Sequence, residues 1–388
     1  MTREVVIVEA LRTPFTRGIK GAFKDTRPDT LAAEVIKALL ARAPQLDPAM
    51  IEDVVLGCAM PEGEQGMNVA RLAGLLAGLP HTVPGMTVNR FCSSGSQTIG
   101  LVADRIAVGG IDVAIAGGTE SMSMIPMGGN KISANPELMA SNPEAYISMG
   151  ATAELVAQRF EISRADQDAF ACESHRRASA AWEAGTLAEE VVAVTTRVQT
   201  PEGPRQVTVS RDEGPRPDTT IEALSALRPV FDPTGSVTAG NASPLTDGAA
   251  AALMMDKETC ERLGLSPLGY FRTYVVVGVP PEIMGVGPVP AIRKLLEKAG
   301  LTLADIDAVE LNEAFASQSL HCIRELGLDP AKVNPNGGAI ALGHPLGTTG
   351  ARQVATLLRH LRRTGGRYGV VSMCIGGGMG FAALVEAA

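Results

Sequence analysis

The sequence has little of what nucleic-acid-binding and membrane-spanning proteins need. Aromatic residues make up 4% of the 388 residues, and the formal net charge is −8. A nucleic-acid-binding surface combines basic stripes with aromatic side chains. The densest basic run, residues 359–363, is interpreted as a solvated helix end, where cations suit the helix dipole. No apolar run approaches the length of a membrane span. We therefore expect no nucleic-acid partner and no membrane span.

The sequence also lacks paired cysteines and an address signal. Its six cysteines are Cys58, Cys92, Cys172, Cys260, Cys322 and Cys374. None forms a CxxC pair, which argues against a zinc ribbon or a thioredoxin-like motif. Residues 4–10 are typical of a strand and leave no room for a targeting segment, and residues 386–388 are not a peroxisomal address. Free thiols in such a chain predict a cytoplasmic location.

Strands and helices alternate in the first and last thirds of the chain, which predicts an α/β protein with mostly parallel strands. The two thirds are similar, since Val88-Asn89 and Val333-Asn334 each precede a Gly/Ser-rich loop, a helix, a Gly-Gly stop and a strand. The region between them opens with a methionine-rich loop and contains a charged helix. We predict an N-terminal half (1–120, completed by about 242–266), an inserted loop domain (121–241) and a C-terminal half (267–388).

Cys92 has the most reactive setting among the cysteines. It lies at a predicted strand-to-helix junction in Asn89-Arg-Phe-Cys-Ser-Ser-Gly-Ser96. Unpaired backbone N–H groups and the positive end of the helix dipole favour a thiolate there, and the same N–H groups can stabilise an oxyanion. On this segment alone, a cysteine that merely packs remains an open alternative. Four others are interpreted as small buried apolar residues: Cys58, Cys172, Cys260 and Cys322.

Three further residues follow predicted strands on loops or helix starts. His344 lies in the glycine-rich segment 336–347, Asn312 begins a helix, and Cys374 precedes a turn that fails the GxGxxG dinucleotide pattern. The other four histidines lack such a setting and are expected at the surface. Because such loops gather at the strand ends of α/β sheets, we predict one site in which a cysteine is the nucleophile, His344 its base and the second cysteine a proton shuttle.

At these residues the sequence resembles the thiolase family, over essentially the whole chain. The matching motifs are the Cys92 segment, Gly240-Asn-Ala-Ser243, Asn312-Glu-Ala-Phe315, and Gly343-His-Pro345 with Cys374. The resemblance implies a five-layered αβαβα fold of two pseudo-equivalent halves with an inserted loop domain, assembled as a homodimer or homotetramer. It also implies acyl-CoA and coenzyme A as substrates, with no bound cofactor and no metal. Association with a β-oxidation partner is left open.

The resemblance implies roles for individual residues. Cys92 becomes acylated, His344 activates it, and Cys374 adds or removes the proton at the substrate α-carbon. Asn312 holds a water that forms one oxyanion hole with His344, while the backbone N–H groups of Cys92 and Gly376 form the other. The positions that match substrate contacts of the family are Ser243, Ala239, Met149, Met284, Phe315 and Arg216.

Ser148 indicates the degradative branch of this family, because biosynthetic acetoacetyl-CoA thiolases usually have a histidine there. The resemblance thus implies cleavage of 3-ketoacyl-CoA by coenzyme A to acetyl-CoA and a shortened acyl-CoA. One alternative is a biosynthetic thiolase that condenses two acetyl-CoA molecules. A catalytically silent lipid-binding relative should lack Cys92 or His344, and a ketoacyl-carrier-protein synthase should lack Cys374. The spacings do not support a His/Cys metalloprotein.

Overall fold

The computed structural model describes residues 2–388 as twelve strands and twelve α-helices. The strands are β1 (Val5–Arg12), β2 (Thr16–Arg17), β3 (Asp53–Gly57), β4 (Gly85–Val88), β5 (Val113–Ser121), β6 (Val194–Thr200), β7 (Gly203–Val209), β8 (Thr246–Asp256), β9 (Gly269–Gly278), β10 (Ala308–Leu311), β11 (Tyr368–Ile375) and β12 (Met379–Ala387). The helices are α1 (Pro28–Arg42), α2 (Val69–Leu76), α3 (Ser94–Ala107), α4 (Pro136–Ser141), α5 (Met149–Arg159), α6 (Arg164–Glu183), α7 (Ile221–Ser225), α8 (Lys257–Arg262), α9 (Pro288–Ala299), α10 (Ala316–Leu326), α11 (Ala339–Leu342) and α12 (Thr349–Thr364).

Alternating side chains of the strands divide the interior into three apolar cores. On β3, Val55 faces a central core that also contains α3 and α12, while its neighbours Val54 and Leu56 face an outer core with α1 and α2. A third core lies between β9–β12 and the helices α9 and α10. Since successive strand residues point to opposite faces, each part of the sheet is covered on both sides by helices. The result is the five-layered αβαβα arrangement that the family resemblance implies.

The strand order reveals an internal duplication. The main sheet runs β10-β11-β12-β9-β1-β8-β5-β3-β4. Its N-terminal part, β4-β3-β5-β8-β1, has the same pairing directions as a C-terminal part made of Val333, β10, β11, β12 and β9. The two parts meet where β1 pairs with β9. The repeat seen in the sequence is therefore a repeat of topology.

The expectation of mostly parallel strands is wrong. Parallel pairs are β3 with β4, β3 with β5, and β10 with β11, whereas the other neighbours in the main sheet are antiparallel. Helices connect the parallel strands, as a parallel crossover requires. β12 instead returns from β11 through the tight turn 376–378, and a tight turn can join only antiparallel strands.

The region between the halves carries α4–α7 and the two-stranded sheet of β6 and β7. A buried ion-pair network attaches it to β1, because Arg12 donates to Glu190 at 2.6 Å and to both carboxylate oxygens of Asp212 at 2.6 and 2.9 Å. The predicted division into 1–120 with 242–266, 121–241 and 267–388 remains a prediction. Within residues 2–388, no helix is long and apolar enough to cross a membrane.

Candidate active site

Cys92 lies in a single 3-10 turn, Phe91–Ser93, between β4 and α3. Phe91 has a φ of +44°, which is uncommon for an aromatic residue. Local hydrogen bonds hold this turn: Asn89 Oδ1 accepts from the Phe91 N–H at 2.8 Å, and Ser94 Oγ donates to the Phe91 carbonyl at 2.7 Å. The turn directs Cys92 inward, where its side chain is buried against Leu346.

Burial raises the pKa of the Cys92 thiol to about 11. The backbone N–H groups of Gly376 and of Cys92 itself reach the sulfur and lower this pKa, as the sequence predicted, but burial outweighs them. Cys92 is therefore a thiol at neutral pH. It needs a nearby base before it can act as a nucleophile.

His344 is the predicted base, and its hydrogen bonds define its tautomer. Thr349 Oγ1 lies 2.6 Å from His344 Nδ1 and donates its single hydrogen to the Pro345 carbonyl at 2.9 Å. The Thr349 hydroxyl must then accept the Nδ1–H, which leaves the lone pair of the imidazole on Nε2. Asn312 Nδ2 lies 3.2 Å from that Nε2 atom and donates to it. The basic nitrogen of His344 thus faces the side chain of Asn312.

The charge state of His344 suits a base. Burial lowers its pKa to about 3, and the positive charge of Arg352 lowers it further. The imidazole is consequently neutral at neutral pH and can accept a proton. Asn312 Oδ1, also buried, has no hydrogen-bond partner among residues 2–388. This oxygen is free to bind a polar group of a substrate or a water.

Cys374 approaches Cys92 from the other half of the chain. It is fully buried near the end of β11, two residues before Gly376, whose N–H reaches the Cys92 sulfur. Burial raises the pKa of Cys374, and charges on Cys92 and Cys322 raise it further. Cys374 therefore rests as a thiol that can donate a proton. The predicted quartet of Cys92, His344, Cys374 and Asn312 comes together in one site, built from both halves.

The residues predicted to contact substrate fall into two groups. Met284 and Phe315 pack in one apolar cluster with Cys374, and Met149 packs against that cluster. Ser243 lies beside it and donates from both its N–H and its Oγ to the Ala314 carbonyl at 3.0 Å. The remaining two, Ala239 and Arg216, are exposed, and the backbone N–H of Arg216 donates to His175.

Sequence reasoning missed several residues of this site and misjudged two histidines. Thr349 and Glu120 touch the His344 loop only through the folded chain, so no local pattern identified them. His175 and His321 were expected at the surface, but both are buried. His175 accepts the Arg216 N–H, and His321 stacks on Phe160 at 3.8 Å, which accounts for their burial. Within residues 2–388, no three His, Cys, Asp or Glu side chains are grouped as metal ligands.

Family models match nearly the entire chain. The model described as "Thiolase, N-terminal domain" matches residues 5–258, and that described as "Thiolase, C-terminal domain" matches residues 265–387. A protein of Bacillus subtilis (strain 168) named 3-ketoacyl-CoA thiolase is 52% identical over 389 residues, which cover 99% of each chain.

Two solved structures are similar over their full length. The Bacillus anthracis acetyl-CoA acetyltransferase is 41% identical with a TM-score of 0.91, and the match covers 100% of this chain and 99% of that one. The dimeric peroxisomal thiolase of Saccharomyces cerevisiae is 44% identical with a TM-score of 0.91, and the match covers 100% of this chain and 98% of that one. These likenesses confirm the predicted fold class.

Proposed function

The chain belongs to the thiolase family, and we propose that it cleaves 3-ketoacyl-CoA with coenzyme A, giving acetyl-CoA and an acyl-CoA shortened by two carbons. One observation carries this proposal. The Cys92 sulfur accepts an N–H bond from Gly376, beside the Cys374 thiol, and packs against the loop of a neutral His344. A nucleophile, a base and a proton donor at one point are what breaking this carbon–carbon bond requires.

The first half-reaction acylates Cys92. His344 Nε2 takes the proton of the Cys92 thiol, and the sulfur attacks the 3-keto carbon of the substrate. The bond between carbons 2 and 3 then breaks, its electron pair leaves on acetyl-CoA as an enolate, and the Cys374 thiol protonates carbon 2. The negative charge that develops on oxygen needs donors that are already oriented. The N–H groups of Cys92 and Gly376 serve the oxygen of the acylated carbon.

A second oxyanion site serves the enolate of acetyl-CoA. After taking the proton from Cys92, His344 presents an Nε2–H donor, and Asn312 holds a water beside it. Asn312 Oδ1 has no hydrogen-bond partner among residues 2–388, and Nδ2 of the same side chain lies 3.2 Å from Nε2, which supports this assignment. The two sites divide the developing charge between the two carbonyl oxygens of the substrate.

The second half-reaction transfers the acyl group to coenzyme A. The Cys374 thiolate takes the proton of the incoming coenzyme A thiol, whose sulfur attacks the thioester carbon on Cys92. Cys92 leaves as a thiolate and recovers its proton from the His344 imidazolium. All three side chains return to their neutral state, so the cycle consumes no cofactor. The reverse reaction is a Claisen condensation of two thioesters.

The apolar cluster beside Cys374 supports a substrate with an aliphatic acyl chain. Met149, Met284 and Phe315 supply its wall, and methionine side chains adapt to acyl groups of different shape. Ser243 and Ala239 flank the route of the pantetheine arm, and Arg216 meets the nucleotide of coenzyme A. The similarity to an acetyl-CoA acetyltransferase keeps a biosynthetic thiolase, which joins two acetyl-CoA molecules, as the second candidate.

Assembly and location form the last part of this proposal. The chain forms a homodimer, and the similar thiolase of Saccharomyces cerevisiae, which is dimeric, supports this assignment. The homodimer leaves open two larger assemblies, which are a homotetramer and a complex with a β-oxidation partner. The reaction takes place in the cytoplasm, although the similar yeast protein is peroxisomal. Fluorescence microscopy of the tagged chain in its source cells tests the location.

Thiolysis of 3-ketoacyl-CoA substrates of increasing chain length tests the function. Purified protein is mixed with each substrate and free coenzyme A, and formation of acetyl-CoA is followed. We expect activity on medium and long chains. Activity confined to acetoacetyl-CoA would identify the biosynthetic type. Absence of turnover on every chain length, with Cys92 still open to alkylation, would support the silent lipid-binding relative instead.

A further inference from the structure

A buried carboxylate that the reaction above does not use lies behind the catalytic residues. Glu120 is the penultimate residue of β5 and is 1% exposed. Its Oε2 accepts the N–H groups of Ala59 and Gly347, each at 2.7 Å. Its Oε1 accepts from Gln65 Nε2 at 2.6 Å, from the Met60 N–H at 3.2 Å and from Cys58 Sγ at 3.7 Å.

These five donors all direct their hydrogens at the carboxyl group of Glu120. Burial raises its pKa, while the hydrogen bonds from Ala59, Gly347, Met60 and Gln65 oppose that rise. The orientation of the Gln65 amide is fixed, because its Oε1 accepts the Ser121 N–H at 2.9 Å. If Glu120 carried a proton, the O–H would point at another hydrogen-bond donor at nearly every position around the carboxyl group. No lysine or arginine pairs with Glu120 among residues 2–388.

The bond to Gly347 is the one that reaches the catalytic site. Gly347 lies three residues after His344, in the loop that leads into α12. A β-carbon on Gly347 would lie 2.7 Å from Glu120 Oε2 and 2.8 Å from the Cys58 Cα, so the loop is pressed directly against the strand ends of the N-terminal half. Leu346, the preceding residue, lies in one small apolar cluster with Cys92. Glu120 therefore ties the loop of the base to the half that carries the nucleophile.

We propose that Glu120 is a positioning residue that fixes the His344 loop against Cys92 across the two halves of the chain. The role of His344 as the base for Cys92 is taken from the proposed function, so this inference rests on it. The Gly347 N–H ties the loop to a side chain that four further hydrogen bonds hold within the N-terminal half, and this restricts the loop more tightly than apolar packing alone. Misplacing a catalytic group by about 1 Å can lower a rate by about a hundredfold.

Glu120→Gln tests the proposal because it keeps the shape and removes acceptor capacity. Its NH2 group must face at least one of the donors Ala59, Gly347, Met60 or Gln65. We expect kcat for thiolysis to fall about 10- to 100-fold with KM changed less than about threefold, and Cys92 alkylation near neutral pH to slow by a similar factor. Glu190→Gln is the matched control, since Glu190 is equally buried but accepts from Arg12 and Thr356. Glu190→Gln should lower the thermal stability of the protein. It should leave kcat unchanged when kcat is calculated per enzyme molecule whose Cys92 can be alkylated.

A second variant and a second background keep the test decisive. Gly347→Ala disturbs the same contact from the loop side, in case Glu120→Gln does not fold. In a His344→Ala background, Glu120→Gln should have little further effect on Cys92 alkylation, because it acts through His344. Wild-type kcat in both variants, or an equal loss with and without His344, would overturn the proposal. Because alkylation requires no turnover, this outcome is separable from a failure of the thiolase function itself.

Discussion

At the scale of single residues, one physical effect sets the protonation of the whole site. Burial raises the pKa of the Cys92 and Cys374 thiols and lowers that of the His344 imidazole. The three groups are therefore all neutral before substrate binds, because a neutral group has a lower desolvation cost than a charged one in a buried site. Charge appears only during the reaction. Preoriented N–H groups then matter more than a preformed thiolate, because they act on the charge as it develops.

Replacing the nucleophile should abolish turnover while leaving the fold intact. For Cys92→Ser we expect a normal thermal transition and kcat at least about a thousandfold lower, because an alcohol is a far weaker nucleophile than a thiol next to the same base. Steady-state thiolysis kinetics and circular dichroism measure the two properties. Cys260→Ser is the control, since Cys260 is buried on α8 and donates to the Leu265 carbonyl, which serine can also do. Wild-type rates in Cys92→Ser would rule out the acyl-cysteine mechanism.

The pKa values give the alkylation of Cys92 a definite pH dependence. In the wild type, His344 is neutral at every pH well above about 3, so the rate should show no acid limb near neutrality and should rise toward the thiol pKa of about 11. His344→Ala removes the base. We expect its alkylation to be about 10- to 100-fold slower at about pH 7, with the difference closing toward about pH 10, where solvent hydroxide deprotonates the thiol. Iodoacetamide labelling followed by mass spectrometry gives both profiles.

The control for this experiment is His81→Ala, because His81 is exposed. Its alkylation profile should overlay the wild type. If wild type and His344→Ala showed the same pH dependence of Cys92 alkylation and the same rate at neutral pH, His344 would not be the group that activates Cys92.

Residue-level prediction was possible where one residue carries its own local signal. Cys92 at a strand-to-helix junction and His344 among glycines could be identified without a structure, and the fold brings their loops together. Thr349 and Glu120 carry no such signal, because each acts through contacts that exist only after folding. The net pKa of Cys92 was also beyond the sequence, since the balance between burial and N–H bonds depends on how deeply the sulfur is enclosed.

At the scale of elements, the sequence identified half of the twelve strands and several helices, but not how the strands pair. Short apolar stretches and glycine stops marked β3, α3 and β11 well. β9 and β12 were not predicted from the sequence, and the antiparallel pairing of β12 with β11 follows from the tight turn at 376–378. Pairing direction is a property of the connection between strands, and the sequence shows the length of a connection more clearly than its path.

The ion-pair network between β1 and the inserted region should be a major source of stability. Asp212→Ala would leave the fully buried guanidinium of Arg12 without its bidentate partner, and the Phe15 N–H and Trp182 Nε1–H without an acceptor. Removing one partner of a buried pair typically costs about 3–5 kcal/mol. We expect a lower melting temperature by several degrees and faster proteolysis of the inserted region, measured by differential scanning fluorimetry and limited trypsin digestion.

An exposed ion pair provides the matched control for that measurement. Asp166 accepts from Arg324 at 2.9 Å at the protein surface, and Asp166→Ala removes that pair. Exposed pairs contribute about 0–1 kcal/mol, so its melting temperature should stay close to the wild type. Equal losses in the two variants would mean that the buried network has no special part in holding the inserted region.

At the scale of the whole molecule, the site exists because two copies of one topology face each other. Cys92 follows β4 in the N-terminal half, while Asn312, His344 and Cys374 come from the C-terminal half. α3 and α12, which begin beside Cys92 and His344, pack together in the central core. Each half therefore places the N-terminus of one helix, α3 or α12, at the candidate active site. Duplication thus places His344 and Cys92 on equivalent elements of the two halves, and a shift between the halves would separate them.

The edge of the sheet next to Cys92 predicts how two copies assemble. β4 is the terminal strand of the main sheet, and Met86 on it is exposed. Met67 is also exposed and lies close to this edge, because the side chain of the next residue, Asn68, donates to the Gly85 carbonyl on β4. A two-fold axis would place such an edge against its own copy, so a charge introduced there meets the same charge. We expect the wild type to form the proposed homodimer and Met67→Lys/Met86→Lys to be monomeric, by sedimentation equilibrium at about 1–50 μM. Val108→Lys, an exposed apolar site after α3, should remain dimeric. A dimer that survives both lysines would place the interface on another face, whereas a monomer with reduced kcat would mean that the second copy also steadies the turn of Cys92.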